Sequence, residues 1–472
     1  MTRLHWLALI AAVAMVCRAA PAAGPLELPV LPAFPGAEGF GAVAQGGRGC
    51  PVYYVTNLDD DGPGSFRDAV SQGQRMVLFK VSGTIALKTG VVVRGPNVTI
   101  AGETAPGAGI CFRGSQVVIK GDEVILRFLR FRPGDELKTE HDALSISAAK
   151  CVIVDHCALS WSTDSLNDVV HLAGRVTVQW CILSEPLNRS VHAKGTHGFA
   201  TGWGSGTGDD GASYHHNLIA HAASRSPRIG GFNETLADVR NNVIYNLGEG
   251  WAYCGEPARI NYVANFFVPG PDTRHPDKIF RVNNPRTWIY LRDNYVEGAP
   301  AVNESNGAGI QLDDGVALEA VQANLEFPVV PVATQRARDA YQQVLEKAGC
   351  TLPWRDAVDE RIVESVRNRT GHVIDSPGEV GGWPELKSVD AKQDSDGDGL
   401  PDSWERKHGL DPKNPEDGAG WAPLVAGQAA QEQEDVLPPR GQTFARIHRK
   451  AKRYSGYTNL EMYLHELVDE AR

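Results

Sequence analysis

Six ionisable side chains in the middle of this chain have the types and order expected of a site that handles anions. Asp142 sits in His141-Asp-Ala-Leu-Ser-Ile146, and Asp164 and Asp168 sit in Thr163-Asp-Ser-Leu-Asn-Asp168. Lys194 follows in His192-Ala-Lys194, and Arg225 and Arg228 flank a proline in Ala222-Ala-Ser-Arg-Ser-Pro-Arg-Ile-Gly-Gly231. Arginine forks and a lysine point charge grip carboxylates, while dispersed aspartates hold a hard cation with vacancies for water and ligand oxygens. Together they suit a polycarboxylate substrate bridged to the protein by a divalent ion. The competing readings are turn-capping for the aspartates and a structural salt bridge for Arg228. Asp155, in Val152-Ile-Val-Asp-His-Cys157, reads either as a further ligand or as a residue orienting neighbouring turns.

Such groups converge only on a scaffold that repeats. Short β-branched runs open at Val98, Val124, Val152 and Val176, and Asn217, Asn242, Asn265 and Asn294 each precede an apolar or aromatic pair. Spacings of about 20–30 residues with short strands and no intervening helices indicate a parallel β-solenoid, with the asparagines stacked at one corner. A β-sandwich would show turns every 8–12 residues, and they are absent from the pattern. Gly62 to Val70 reads as a short helix covering the first coil, and the His- and Gly-rich insertion between Cys181 and Ser213 reads as a functional loop.

The 472 residues exceed one compact core. Residues 1–23 carry a basic start, an apolar run and small residues, which predicts a cleaved signal peptide and export rather than a membrane span. Of 8 cysteines, Cys17 falls in that leader; the odd remainder leaves any pairing unassigned. A net charge of -11 argues against nucleic acid or anionic membrane as partner. The solenoid is expected over 33–300. Residues 301–390 hold two amphipathic helices, from Thr334 to Ala348 and from Asp356 to Arg367, that pack on its wall. A last module, 391–472, carries Asp394-Ser-Asp-Gly-Asp-Gly-Leu-Pro-Asp-Ser-Trp-Glu405. Asp394, Asp396, Asp398, the Leu400 carbonyl, Asp402 and Glu405 fall at the ligand positions of an EF-hand calcium loop, with Gly399 at the turn position. A capping box at Thr458 and Glu461 opens the final helix, Leu460 to Val468.

Taken in order, Phe34-Pro-Gly-Ala-Glu-Gly-Phe-Gly41, Val77-Leu-Phe-Lys-Val-Ser-Gly-Thr-Ile85, Asp155-His156 and Arg225-Ser-Pro-Arg228 resemble the pectate lyases of polysaccharide lyase family 1. The resemblance implies an all-β, right-handed, single-stranded parallel β-helix, here with a mainly helical C-terminal extension. It implies a secreted, monomeric enzyme that cleaves polygalacturonate by β-elimination and leaves a 4,5-unsaturated end. Calcium would sit on Asp142, Asp164 and Asp168. Arg225 would remove the C5 proton, and Lys194 and Arg228 would bind carboxylate and stabilise the enolate-like intermediate, with His192 also touching substrate. A guanidinium is ordinarily protonated, so that role pushes activity to alkaline pH. Three alternatives stand beside it: a pectin lyase, a polygalacturonase-like hydrolase using Asp209-Asp210, and a non-catalytic carbohydrate-binding solenoid. His192, His197, His215 and His216 lack the spacing of a zinc site, and His215 and His216, taken as strand neighbours, would place at most one ring in the cleft.

Overall fold

The valines that open the repeats are direct partners in space. In the computed structural model Val98 pairs with Val124, Val124 with Val152 and Val152 with Val176, all in parallel register. The structure describes residues 31–204, 210–230, 234–248, 252–423 and 454–470. The leader over 1–23, Asp209 and Gly231 lie outside the described residues. Each coil contributes one strand to each of three parallel sheets, of 10, 9 and 9 strands, so the chain forms a parallel β-helix. We call these the first, second and third sheets in the order that a coil meets them. Inward side chains such as Val98, Leu126, Val152, Leu166, Val178 and Ile260 stack into one continuous apolar column that is fully shielded from water.

The corner between the first and second sheets explains why the coils stay in step. The residue that turns it is left-handed in one coil after another: Phe128, His156, Trp180, His216, Asn241, Ala264 and Asp293. Non-glycine residues enter that region at a cost of about 1–2 kcal/mol each. The next position offsets the cost. The Asn217 side-chain amide donates to Asn242 Oδ1 at 3.0 Å, Asn242 to Asn265 at 3.0 Å, and Asn265 to Asn294 at 2.9 Å. The ladder runs one coil further than expected, from Asn294 to Asn306 at 3.1 Å. Towards the N-terminus the same column holds the thiols of Cys181 and Cys157, and the Cys181 N–H still donates to Asn217 Oδ1. On the turning residues, the rings of Phe128, His156, Trp180 and His216 stack at 4.9, 6.0 and 4.3 Å. His216 therefore belongs to this ring stack, and His215 is fully buried beside it. Neither faces a cleft, which corrects the strand-neighbour expectation: position 216 is the left-handed corner, and the alternation of a strand ends there.

Two of the three outer faces are covered. Phe34 and Ala42 pack on Ile125 and Ile153 of the first sheet, and Leu400, Leu460 and Leu464 pack on its Met76 and Leu78. The helix Ala337–Lys347 packs on Ile182, Leu218 and Val243 of the second sheet, as does the helix Ala357–Asn368. Asp356 caps the latter helix and, with Asp359, receives hydrogen bonds from the buried Arg132 at 2.6 and 2.7 Å. The helix Phe66–Ala69 covers the first coil with a buried Phe66. One expectation needs correction: the solenoid does not stop at 300, because Ile310–Leu312 pairs with Phe280–Val282. The pairing left open for the cysteines is not made, since all seven described ones are free thiols.

The ladder makes a stability prediction. Asn242→Ala removes the acceptor of the Asn217 N–H and side-chain amide and the donor to the Tyr214 carbonyl, all buried. It should lower unfolding free energy by about 3 kcal/mol or more, read as a shifted urea midpoint at unchanged slope.

Candidate active site

The third sheet's outer face is an open groove of about 680 Å³, lined among others by Val118, Asp142, Ser145, Asp168, Arg228 and Glu256. Its floor is one register column: Val118, Ser145, Asp168, Gly202, Arg228 and Tyr253 are successive partners on neighbouring coils. Gly202 is required there, because a Cβ at that position would lie 2.8 Å from Asp168 Oδ1. Its N–H instead donates to that oxygen at 2.8 Å.

Asp142 enters from the loop before its strand and accepts from the Ser165 N–H at 3.1 Å and from the Ser145 hydroxyl. Burial, and then the neighbouring Asp168 and Asp164 carboxylates, push its carboxyl up to about 8. Asp168 is raised by burial too, while the Arg225 guanidinium opposes the rise. Asp142 and Asp168 line the groove and are raised by burial and by neighbouring carboxylates, a repulsion that a divalent cation of the calcium type would relieve.

Arg225 takes a left-handed backbone next to Asp168's column, and its carbonyl accepts from the Thr201 N–H at 2.8 Å. Its guanidinium carbon lies 4.0 Å from the centroid of the Phe199 ring, and its Nε is buried without a partner. Asp164 accepts from His197 Nε2 at 2.9 Å, and His192 Nε2 lies 3.8 Å from it and 3.5 Å from Glu140. His192 Nδ1 accepts from the Lys194 N–H at 3.1 Å, so its proton is on Nε2 and points at the carboxylates. Asp142, Asp164, Asp168, Arg225 and His192 thus converge. Lys194 is exposed on the loop above them, and its charge bears on Glu140.

Arg228 lines the groove but its guanidinium is engaged by Glu256, a partner that the sequence reading missed. Gly230 leaves room for that pair, since a Cβ there would meet Glu256 Oε2 at 2.3 Å. Asp155 is on the other side of the coil, sealed under Arg127 at 2.9 Å, His156 at 2.8 Å and Gln179 at 2.7 Å. Burial alone would raise its carboxyl, and these partners bring it below the usual range. It orients turns and takes no part in the groove. Asp210 is likewise committed, to Lys150 at 2.6 Å and Arg175 at 3.3 Å.

The acidic loop lies against the first sheet, away from the groove. Asp394, Asp396 and Asp398 bring oxygens within 4.8 Å of one another. Gly399 turns the loop at φ 102°, and both Glu405 carboxylate oxygens and Asp396 Oδ2 are buried without a hydrogen-bond partner. Such orphaned acceptors fit a bound calcium ion. The expected ninth-position ligand, Asp402, instead accepts from the Ser395 N–H at 2.8 Å and hydroxyl at 2.9 Å. The Leu400 side chain is buried between the loop and the sheet.

Among known proteins, Probable pectate lyase C of Aspergillus flavus is 35% identical over 392 residues, which cover 81% of this chain and 88% of that protein. Its Emericella nidulans counterpart of the same name is 33% identical over 384 residues, covering 80% and 87%. No family model matches the chain. The crystal structure of jun a 1, the major allergen of cedar pollen, superposes with a TM-score of 0.51 at 18% identity, covering 66% of this chain and 92% of that one, and so shares the fold. With that fold, that groove and relatives at this identity along most of their length, the chain belongs to the pectate lyase family.

Proposed function

We propose that this protein is an exported lyase that cleaves (1→4)-α-D-galacturonan by calcium-assisted β-elimination in the third-sheet groove. The observation that carries the reading is the electrostatic reach of the Arg225 guanidinium to Asp168, and of Asp168 and Asp164 to Asp142, beside a groove that no described element covers. Asp142, Asp164 and Asp168 would hold a calcium ion, which when bound would supply Lewis-acid polarisation of a substrate carboxylate. Arg225 then accepts the C5 proton, the C5–H electron pair becomes the C4=C5 bond, and the C4–O bond breaks with its electrons leaving on oxygen. Lys194 reaches over the groove as a mobile point charge for a uronate. Arg228 serves as a carboxylate contact only to the extent that it exchanges Glu256 for substrate.

The competing hydrolase would need two free carboxylates across the scissile bond. Asp210 is tied up by Lys150 and Arg175, which disfavours that alternative. A pectin lyase has less use for a three-carboxylate cluster. Among the described residues no helix is long and apolar enough to cross a membrane. The acidic loop is assigned a structural calcium that pins the C-terminal segment to the first sheet.

Arg225→Lys should abolish the ultraviolet absorbance of unsaturated uronide on polygalacturonate while circular dichroism and melting temperature stay at wild-type values. Retained turnover would remove Arg225 from the base role. Chelation should stop wild-type activity, and Asp164→Ala or Asp168→Ala should raise the calcium concentration needed for half-maximal rate. Because Asp142 holds a proton in the cation-free fold, calcium binding should release one below about pH 8, measurable by calorimetry in buffers of different ionisation enthalpy. The same raised carboxyl binds a proton that the unfolded chain has already lost. It therefore makes the cation-free fold less stable as pH climbs from the ordinary carboxylate value to about 8, and calcium should remove that loss. Asp394→Ala should lower the melting temperature in calcium and leave turnover per folded molecule unchanged.

A further inference from the structure

The insertion that lengthens the fifth coil of the groove carries more than a substrate-facing lysine. Its two histidines continue into a chain of ring contacts. The His192 and His197 rings lie 3.5 Å apart and 10° from parallel. The Phe199 ring follows His197 at 3.9 Å, and the Arg225 guanidinium lies 4.0 Å beyond Phe199. Both histidines are buried, and the edge of the His197 imidazole is hydrogen-bonded to Asp164 at 2.9 Å. This chain of contacts, tilted by 48° between His197 and Phe199, touches a carboxylate of the cation cluster at one flank and the proposed base at its end.

We propose that Phe199 and His197 are positioning residues: the ring of Phe199 fixes the plane and place of the Arg225 guanidinium, and His197 fixes the Asp164 carboxylate against the same ring. The inference rests on the functional reading above and deepens it. Among the described residues the Phe199 ring is the contact that sets the plane of the Arg225 side chain. Its Nε has no hydrogen-bond partner, so the stacking contact is the geometric constraint on that group. A ring under a guanidinium stabilises the cation by only about 0.5–1 kcal/mol at a half-exposed site, which by itself would disfavour a base. Misplacing a reacting group by about 1 Å costs on the order of 100-fold in rate. Orientation therefore outweighs the charge effect, and removing the ring should slow the reaction.

The two residues predict separable defects, which a general packing role would not produce. Phe199→Leu should reduce kcat on polygalacturonate about 100-fold, with the calcium concentration for half-maximal rate and the melting temperature near wild type. Phe199→Tyr, which keeps the ring, should restore most of the rate. His197→Ala should raise the half-saturating calcium concentration about tenfold, as loss of an orienting partner does, and His197→Gln, which keeps a donor near Nε2, should recover part of it. If Phe199→Leu does not fold, Phe199→Met supplies the same comparison with less lost volume. The proposal is overturned if the leucine or methionine variant turns over at the wild-type rate, or if every variant changes kcat, calcium requirement and melting temperature in parallel. Absence of unsaturated product from the wild-type protein would instead strike the functional reading, and the two failures are told apart in one assay.

Discussion

The molecule depends on keeping its coils in register, and the corner between the first and second sheets is where that is enforced. Within a strand neighbouring side chains alternate in and out, so a slip of one residue would turn Asp168 into the apolar column and Val169 into the groove. Seven successive left-handed corners, most of them not glycine or asparagine, would be a heavy load without compensation. After Phe128, which is followed by the core residue Leu129, each is followed by an asparagine that bonds to a neighbouring coil or by a thiol packed in the same column. Because every asparagine there both donates to the next and accepts from the last, no member can move without orphaning a neighbour. That interlock holds the column Val118, Ser145, Asp168, Gly202, Arg228 in line.

On such a frame the electrostatics of the groove become intelligible. A chain with a net charge of -11 places three half-buried carboxylates within one another's fields. This is unfavourable for the empty fold and useful for a protein that must draw a cation and a polyanion to the same point. The two covered faces accept the apolar helices and the N-terminal segment, and their ionic groups are matched: Arg132 with Asp356 and Asp359, Arg127 with Glu103 and Asp155. In the groove, Arg225 Nε and Glu256 Oε2 are buried without hydrogen-bond partners.

Much of this was legible in the chain because in a solenoid sequence spacing is spatial contact. The valines at 98, 124, 152 and 176 and the asparagines at 217, 242, 265 and 294 were readable as repeats and are partners in fact. The three aspartates and Arg225 were readable by type, and they converge. What escaped was whatever depends on an insertion's path or on a partner one coil away. Glu256 sits 28 residues beyond Arg228, in a coil whose strand is too short to show periodicity. His197 and Phe199 belong to the insertion, where no repeat constrains the alignment. The strand Ile310–Leu312 follows a helix and a tight turn, so its membership of the ladder has no sequence cue. His216 was misplaced because a left-handed corner breaks the alternation that assigns faces.

The closure of the first coil ties together residues from opposite ends of the chain. Arg48 bonds Glu461 at 2.7 Å across 413 positions, and Met76 and Leu78 are shielded by Leu400, Leu460 and Leu464. A solenoid can nucleate and grow coil by coil as it emerges, but this one leaves the outer face around Met76 and Leu78, beside its starting edge, uncovered until its last described helix arrives. At ordinary elongation speeds the interval between residues 78 and 460 is on the order of 20–80 s. Throughout it, a growing edge with unpaired strand groups and apolar side chains invites intermolecular pairing. The cell must therefore either shield that nascent edge or hold the polypeptide unfolded until its last residues have been made.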